Sequence, residues 1–417
     1  MRELTAQEIS VLRQLAAEYM DLASLPKQAE TRELWRKLND GAMERPMLAI
    51  DQIPWNELNG DGFLTNQVEE PYWRGVETWL RQSIRQYRDF PADMVLNPYI
   101  LLPRCIGGMD YGDYGVKIQR EIARTDETNA VVSSRFENQL EDWEDLEKIK
   151  APEVTVDTEK EAAIRQTADT VFSGIAPWKM QGQIMHLGVW DYISHWMGVE
   201  NVYIELMDRP EFIHEIMERV TVETIKKIEQ LNALHAFDTW TNVCHCSYTF
   251  DSVLPPEGCD RDHPTSKDVW AFGLAQLFTS VSPAVTDEFE VAYMQRIFPY
   301  FGAIYYGCCD RLDDRLDVIG KLPNIRKISC SPWSEREKFA ERLEKKYIMS
   351  NKPTPAYLAG KTVDWDVVRA DLRRTVTAAR ENGVRLEMIL KDISTVQYDP
   401  SRLSTWAKIA LEEAARY

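Results

Sequence analysis

The spacing of hydrophobic residues differs between the first 45 residues and the rest of the chain. In the first 45 residues, apolar side chains recur at helical spacing among many charges, for example at Ile9, Leu12, Leu15 and Tyr19. This pattern predicts two amphipathic helices that flank the rest of the molecule. From residue 46 onward, short apolar runs such as RPMLAIDQIPWNEL alternate with charged stretches of helical period. We therefore predict an N-terminal helical extension over 1–45 and a second region over 46–417.

The second region reads as strands alternating with helices. Helices are predicted at 210–234, 283–300, 311–321, 333–344, 364–382 and 400–416, and strands at FDTWTNVCHC, GAIYYGCC, NIRKISCS, KKYIMSN and VRLEMILKD. Short connections between the two favour a parallel sheet with helical crossovers. The earlier apolar runs bring the count to about eight strand–helix units, which favours an α/β fold with a closed (β/α)8 barrel of the TIM type over an open, doubly wound sheet.

The net charge of the chain argues against some classes of binding partner. The chain has 49 basic and 67 acidic residues and a net charge of −18, which argues against nucleic acid and anionic membranes as partners. The N-terminus MRELTAQEISVLRQL lacks the apolar core of a signal peptide, and no apolar run is long enough to span a bilayer. We therefore expect a cytoplasmic protein.

Cysteine is concentrated at predicted strand ends. The chain has seven cysteines, an odd number, and without an export signal disulfides are not expected. In a parallel barrel, catalytic groups come from the carboxyl ends of the strands. The strand-end cysteines are therefore candidates for metal binding, although each of them could equally be a small packing residue in the core.

Strand alternation assigns faces to these side chains. In TNVCHC, Cys244 and Cys246 lie on one side of an extended strand and His245 on the other, so either set could face the barrel mouth. In AIYYGCC, the same rule separates Cys308 from Cys309. We predict that Cys309 faces the site, that Gly307 leaves room beside it, and that Cys308 packs in the core.

These side chains suggest a zinc site. Zinc accepts nitrogen and sulfur donors, and a catalytic site uses three protein ligands and keeps one position open. The candidate ligands are Cys309 with His245 or Cys246, and Glu288 near the start of the helix that precedes the GCC strand. For Glu288 the alternative is favourable interaction with the helix dipole alone.

Other strand ends supply candidates for substrate contact. Asp51, Gln181 and Lys391 are predicted to make polar contacts, and Trp190 an apolar one. Aromatic rings with a few polar groups are typical of pockets for flat or apolar ligands, although buried aromatic side chains most often only pack.

The order of segments in the C-terminal half resembles a known superfamily. QLFTSVSP, FPYFGAIYYGCC, ISCSPW, YIMSNKPTPAYLA and ILKDIST, with helices between them, resemble the uroporphyrinogen decarboxylase-like superfamily. The resemblance implies a (β/α)8 barrel and either porphyrinogen decarboxylation or zinc-dependent, corrinoid-linked methyl transfer. The decarboxylases carry an arginine-rich motif of the kind MRQAGR, and the equivalent stretch RPMLAIDQIPWNEL lacks it. The resemblance therefore favours the methyltransferase branch.

The ligand patterns of that branch match only in part. Some members bind zinc through His-x-Cys and a later Cys, and the strand that resembles theirs reads GCC, without the histidine. Other members use two glutamates and a histidine, and Glu288 and Cys309 have the spacing of the second glutamate and the histidine. The resemblance therefore implies a variant zinc set, namely Glu288 and Cys309 with His245 or Cys246.

We predict a zinc-dependent methyltransferase that moves a methyl group between a small O-, N- or S-methyl substrate and a separate corrinoid (cobalamin) protein. The zinc ion, acting as a Lewis acid on the heteroatom, would lower the barrier for a basic leaving group. The alternatives are a metal-free lyase of the decarboxylase type and a barrel that only binds. A homodimer is left open.

Overall fold

A computed structural model describes residues 1–110, 114–123, 133–343 and 345–417. In these ranges the strands are β1 Met47–Ile50, β2 Ile100–Pro103, β3 Ile106–Gly107, β4 Arg120–Ala123, β5 Ser133–Phe136, β6 Thr155–Val156, β7 Trp178–Gln181, β8 His186–Leu187, β9 Val243–Cys244, β10 Ser247–Tyr248, β11 Trp270–Gly273, β12 Ala303–Tyr306, β13 Ile325–Cys330, β14 Ile348–Asn351 and β15 Leu386–Leu390. Residues 125–155 are acidic and predict an exposed excursion, and this stretch lies partly outside the described residues.

The helices alternate with these strands. They are α1 Ala6–Ala23, α2 Pro26–Asp40, α3 Pro71–Asp89, α4 Thr158–Phe172, α5 Val189–Met197, α6 Val199–Asp208, α7 Pro210–Ala233, α8 Pro283–Thr286, α9 Ala292–Ile297, α10 Leu316–Ile319, α11 Arg336–Leu343, α12 Trp365–Asn382 and α13 Ser401–Ala414. A π-helical segment, Asp287–Val291, joins α8 to α9. The predicted helix at 311–321 is much shorter than expected, because only Leu316–Ile319 is helical.

Seven strands form one parallel sheet. Its order is β1-β15-β14-β13-β12-β11-β8, and every pair in it is parallel. β2 and β7 form a separate parallel pair. The α/β class and the parallel sheet are therefore confirmed. Among the described residues, no strand ladder joins the outer strands β1 and β8 to each other.

Both faces of this sheet are buried. Along β12, for example, Ile304 and Tyr306 belong to the cluster beneath the outer helices, whereas Ala303 and Tyr305 belong to a second, inner cluster. Burial on both faces explains why the strands read as continuous apolar runs rather than as alternating ones.

The two predicted N-terminal helices are present as α1 and α2, and they pack against the body of the chain. α1 shares a buried cluster with α3, α4 and the β2–β7 pair. Trp35 and Leu38 of α2 belong to the inner cluster of the sheet. The division of the chain at residue 45 remains a prediction. None of the helices in the described ranges combines the length and apolar character needed to cross a bilayer.

Candidate active site

His245 lies in the turn of a β-hairpin that packs against the central sheet. The stretch predicted as one strand, FDTWTNVCHC, was interpreted wrongly: β9 and β10 are antiparallel, and His245 and Cys246 form the turn between them. His245 has a positive φ of 56°, the left-handed conformation that a tight turn requires. The alternation rule therefore does not apply to these two residues.

A buried ion pair holds the hairpin against the sheet. Lys327 Nζ of β13 lies 2.7 Å from Glu387 Oε2 of β15, and both side chains are fully buried. Ser247 Oγ donates to the same carboxylate oxygen at 2.8 Å, and Lys327 donates to the carbonyl oxygen of Tyr248 at 2.9 Å. These bonds fix the position of the turn that directly precedes Ser247.

The chain leaves β12 through a glycine turn. The strand ends at Tyr306, and Gly307 has a φ of +87°. A Cβ at Gly307 would lie 2.6 Å from Leu312 Cδ1, so the room predicted there is already filled. Because alternation stops at Gly307, the predicted separation of the two thiols is wrong: Cys308 Sγ and Cys309 Sγ lie 3.5 Å apart. Cys308, which was expected to pack in the core, takes part in the site.

Five side chains from two strand ends, those of β12 and β15, and from the hairpin meet here, and we call them the thiol cluster: His245, Cys308, Cys309, Lys391 and Asp392. Lys391 Nζ donates to Cys308 Sγ at 2.9 Å and lies 3.0 Å from His245 Nε2. His245 Nε2 is 3.6 Å from Cys308 Sγ. Cys309 Sγ lies 3.3 Å from Asp392 Oδ2. Lys391 and Cys308 are buried, while Cys309 is only half-buried.

The cluster stabilises one thiolate. The hydrogen bond from Cys309 holds the pKa of Cys308 well below its ordinary value, and His245 and Lys391 lower it further against the opposing effect of burial. The pKa of Cys309 is raised because it gives that hydrogen bond and because it is buried. Burial opposes the charge on Lys391, yet the thiols of Cys246 and Cys308 raise its pKa. The result is a Cys308 thiolate paired with the Lys391 ammonium.

Three nearly parallel rings flank the thiolate. The Phe272 ring lies 3.9 Å from His245 and 5.1 Å from His186, with interplanar angles of 6° in both pairs. Burial, followed by the charge on His245, lowers the pKa of His186 to about 4. His186 is therefore neutral near pH 7, and its ring is a packing surface for this side of the cluster.

Three acids lie on the helical side of the cluster: Asp310 and Glu290 are buried and Asp191 is partly buried. Burial raises the pKa of Asp191 to about 7 and that of Asp310 to about 6, and the charge of Cys308 adds to both effects. Burial also raises the pKa of Glu290 well above its usual value, and Tyr306 donates to this carboxyl group at 3.2 Å. Glu290 belongs to the π-helical segment, a feature often found at functional sites.

A cavity of about 290 Å³ opens beside the cluster, and we call it the Asp51 cavity. It is lined by Asp51 at the end of β1, by Cys246 of the hairpin turn, by Trp55 and Trp79, and by several amide side chains. Burial raises the pKa of Asp51, while the charges of His245 and Lys391 lower it. This electrostatic coupling connects the cavity to the thiol cluster.

The remaining predicted residues lie elsewhere. Glu288 is exposed on the helix and bonds to His214 Nε2 at 3.0 Å. Trp190 is fully buried and packs on Phe278 with ring centroids 4.5 Å apart. Gln181 Nε2 donates to Thr241 Oγ1 at 2.8 Å at the end of β7. None of the three lines the Asp51 cavity or joins the thiol cluster.

The predicted zinc ligands do not fit a metal site as they lie. Within the described ranges, no three His, Cys, Asp or Glu side chains are arranged to hold a metal ion. Glu288 is paired with His214, and Cys246 Sγ lies 3.6 Å from Tyr305 Oη. Lys391 Nζ contacts both His245 Nε2 and Cys308 Sγ, and its positive charge opposes a cation there. We derive no chemical step through zinc.

Sequence reasoning missed several residues of this site. Cys308 could have been found by allowing for the positive φ that Gly307 permits. Asp392 follows Lys391 at the same strand end, but it was not among the predicted site residues. The sequence gives no indication that three further acids lie near the site, namely Asp191, Asp310 and Glu290. Each of them lies in a charged or helical stretch, where acids are usually exposed to solvent.

Comparison with known proteins extends the description of the fold. No protein-family model matches the sequence, and no curated protein matches it. Among solved structures, a methyltransferase from Methanosarcina mazei is similar to this chain, with a TM-score of 0.52 and 13% sequence identity. The alignment covers 91% of this chain and 97% of that chain. At this identity the likeness shows the fold alone, and the chain is similar in fold to that methyltransferase over nearly its whole length.

Proposed function

We propose that the protein is a methyltransferase that takes a methyl group from a small onium compound, a quaternary ammonium or sulfonium ion. The Asp51 cavity carries this proposal: a carboxylate and two tryptophan rings line it, and the carboxylate is coupled electrostatically to His245 and Lys391 of the thiol cluster. The fold likeness to a methyltransferase supports methyl transfer as the reaction class.

The charges of the site suit a cationic substrate. The Cys308 thiolate and the Lys391 ammonium compensate each other, which leaves the Asp51 carboxylate to face a bound cation. Aromatic rings bind quaternary ammonium groups through their negative faces, and Trp55 and Trp79 both line the cavity. Its volume of about 290 Å³ suits a small ligand.

Methyl transfer from an onium ion balances without a proton. The carbon–nitrogen or carbon–sulfur bond breaks, its electron pair remains on the heteroatom, and the methyl group passes to the nucleophile. The leaving group is a neutral amine or sulfide, so no basic oxyanion has to be stabilised. A Lewis acid is therefore not required for this class of substrate, in contrast to a methyl ether.

The resemblance suggests the methyl acceptor. We propose that it is the corrinoid of a separate protein, docked at the open carboxyl ends of the strands. The residues of this chain bind the onium ion and orient its methyl group: Asp51 neutralises the charge and the tryptophan rings enclose it. Lys391 keeps Cys308 ionised beside the cavity, and this pair adds no net charge to that of Asp51.

The finer features of the resemblance belong to the same proposal. We propose a (β/α)8-type barrel of the uroporphyrinogen decarboxylase-like superfamily, in which the β2–β7 pair completes the wall between β1 and β8. A parallel bridge between Gln183 and Phe237 supports this closure. A cytoplasmic location and a homodimer remain predictions.

The test uses the full-length protein with reduced cobalamin in place of the corrinoid protein. Tetramethylammonium, trimethylsulfonium and methoxybenzene are offered as methyl donors, and methylcobalamin is followed by its visible spectrum above the protein-free rate. We expect transfer from the onium ions. Asp51→Asn should lower kcat/KM for them by about tenfold or more, the loss of one charge-assisted contact. Asp208→Asn, at an exposed site on α6, is the matched control.

Two outcomes would contradict the proposal. One is faster transfer from methoxybenzene than from either onium ion, with no effect of Asp51→Asn. The other is one equivalent of zinc in the purified protein that is lost from the Cys308→Ala or Cys309→Ala variant, which would restore the zinc-dependent prediction with altered ligands.

A further inference from the structure

A second cavity, lined by four Lys and Arg side chains and two tryptophan rings, lies apart from the thiol cluster. We call it the cationic cavity. It has a volume of about 530 Å³ and is bounded by β7, by the chain that follows α7 and by the loop 261–264. Its lining shares no residue with the thiol cluster or with the Asp51 cavity. In a chain with a net charge of −18, positive charge gathered at one place calls for an explanation.

Two of its four Lys and Arg side chains already have acidic partners. Arg104 Nε lies 3.0 Å from Glu161, and Arg165 lies 3.9 Å from the same carboxylate. Lys179 and Arg261 form no ion pair with a carboxylate among the described residues. The acid in the lining, Asp262, is exposed. The cavity therefore retains uncompensated positive charge.

Lys179 and Arg261 converge on one ring. Lys179 Nζ lies 4.0 Å and Arg261 Cζ 4.1 Å from the centroid of Trp240, so the two charges are at most about 8 Å apart. Their mutual repulsion would be relieved by an anion between or beside them. Such a pair of charges suits one carboxylate or phosphate group.

The Arg261 side chain is held in place with a donor to spare. Its Nη2 donates to the carbonyl oxygen of Thr239, and Thr239 Oγ1 donates back to the carbonyl oxygen of Arg261 at 2.8 Å. Its Nε is buried and has no hydrogen-bond partner among the described residues. Buried polar groups are almost always paired in folded proteins, so Arg261 is a side chain whose hydrogen-bonding capacity is not fully used.

The remaining lining is apolar or aromatic. Trp178, Met180 and Phe237 contribute to it, and the volume is far larger than a bare inorganic anion needs. We infer that the cationic cavity binds a small organic anion, a carboxylate or phosphate ester on a planar apolar body, held by Lys179 and Arg261. This inference does not depend on the methyl-transfer proposal.

Calorimetric titration of the full-length protein tests it with four probes: benzoate, phenyl phosphate, inorganic phosphate and the neutral benzamide. We expect benzoate or phenyl phosphate to bind, and the tighter of the two identifies the acid group. Benzamide and inorganic phosphate should each bind about tenfold more weakly or not at all, because each lacks either the charge or the apolar body. Added salt should weaken binding of the acids.

The variants separate a built site from general attraction. Lys179→Met and Arg261→Met should each raise the Kd of the bound acid about tenfold, the loss of one charge-assisted hydrogen bond. Lys179→Arg keeps the charge and should restore binding, which shows that loss in Lys179→Met is not misfolding. Lys408→Met, at an exposed position on α13, is the matched control and should bind as the parent does.

Any of three results would overturn the inference. These are benzamide binding as tightly as benzoate, no binding of either aromatic acid up to its solubility limit, and unchanged Kd values in both Lys179→Met and Arg261→Met. Methyl transfer from onium ions should be the same in Lys179→Met as in the parent, so failure here is distinguishable from failure of the proposed function.

Discussion

At the scale of single residues, the ionisation of Cys308 depends on side chains from other strand ends and from the hairpin. Lys391 Nζ donates to its sulfur at 2.9 Å, and His245 Nε2 lies 3.6 Å away. We predict that Lys391→Met removes the strongest positive charge and raises the pH at which Cys308 ionises by about 1–2 pH units. The ultraviolet absorbance of the thiolate, followed against pH, measures this change.

The Cys308 signal is isolated by difference. Each protein is compared with the same protein carrying Cys308→Ser, so that the five cysteines outside the thiol cluster cancel. Lys346→Met, at an exposed position, serves as the matched control and should leave the curve unchanged. The assignment of Lys391 fails if the parent and Lys391→Met give superimposable curves.

Individual residues were predictable only where strand position decides their location. Asp51 and Lys391 follow directly on strands, and they lie in the Asp51 cavity and in the thiol cluster, respectively; their contact with a substrate remains a prediction. The predicted separation of Cys308 from Cys309 was wrong, because the rule that strand ends carry chemistry was combined with an alternation that Gly307 ends, and both thiols lie in the thiol cluster. Glu288 was chosen for its spacing in the sequence, which does not determine which side of a helix faces the sheet.

At the scale of elements, the turn after β12 holds both thiols in the site. Gly307 has a φ of +87°, and a Cβ there would lie 2.6 Å from Leu312 and 3.2 Å from Ser329. We predict that Gly307→Ala destabilises the protein by about 1–3 kcal/mol, from backbone strain and from the contact with Leu312. Urea unfolding measures this change, and the thiolate absorbance of Cys308 should fall with it.

Gly75 is the matched control for this substitution. It lies in α3 at an exposed position, and a Cβ there meets nothing within 4 Å. Because alanine loses less backbone entropy than glycine in a helix, Gly75→Ala should stabilise the protein by about 0.5–1 kcal/mol. Equal changes at both positions would show that the conformation of Gly307 is not what positions the thiols.

The hairpin is the element that sequence reasoning could not find. Its turn residues are His245 and Cys246, whereas short hairpins are usually marked by Asn-Gly or Asp-Gly. Its anchor is the Lys327–Glu387 pair, whose members are 60 residues apart along the chain. Local pattern carries no information about such an anchor, although the long helices α7, α12 and α13 were predicted from their period.

At the scale of the whole molecule, the alternation of strands and helices predicted the parallel sheet. Its strands could be recognised as continuous apolar runs because both faces of the sheet are buried. Whether such a sheet closes into a barrel depends instead on pairing between segments that are distant in the sequence. Examples of such pairing are β1 with β15 and β2 with β7. Net charge was equally limited as a guide. The value of −18 describes the average surface and gave no sign of the cationic cavity.

The free energy of unfolding of the whole protein should depend on the protonation of Asp191. Burial raises its pKa in the folded protein from 3.8 to about 7, so the folded state holds a proton that the unfolded chain releases. The stabilisation is fully present below about pH 4 and is lost as the pH rises through about 7. Asp191→Asn removes this dependence. We predict that its stability relative to the parent improves by about 2–4 kcal/mol between these limits.

Parallel urea titrations of the parent and Asp191→Asn across this pH range measure the difference directly. Taking the difference is necessary because the lowered pKa of His186, about 4, changes stability in the opposite sense over part of the range. The parent and the variant share that contribution, so it cancels. Asp208→Asn, at an exposed site, should run parallel to the parent. If Asp191→Asn also runs parallel, Asp191 is not protonated in the folded state, and the negative charge beside Cys308 is larger than the site as described would hold.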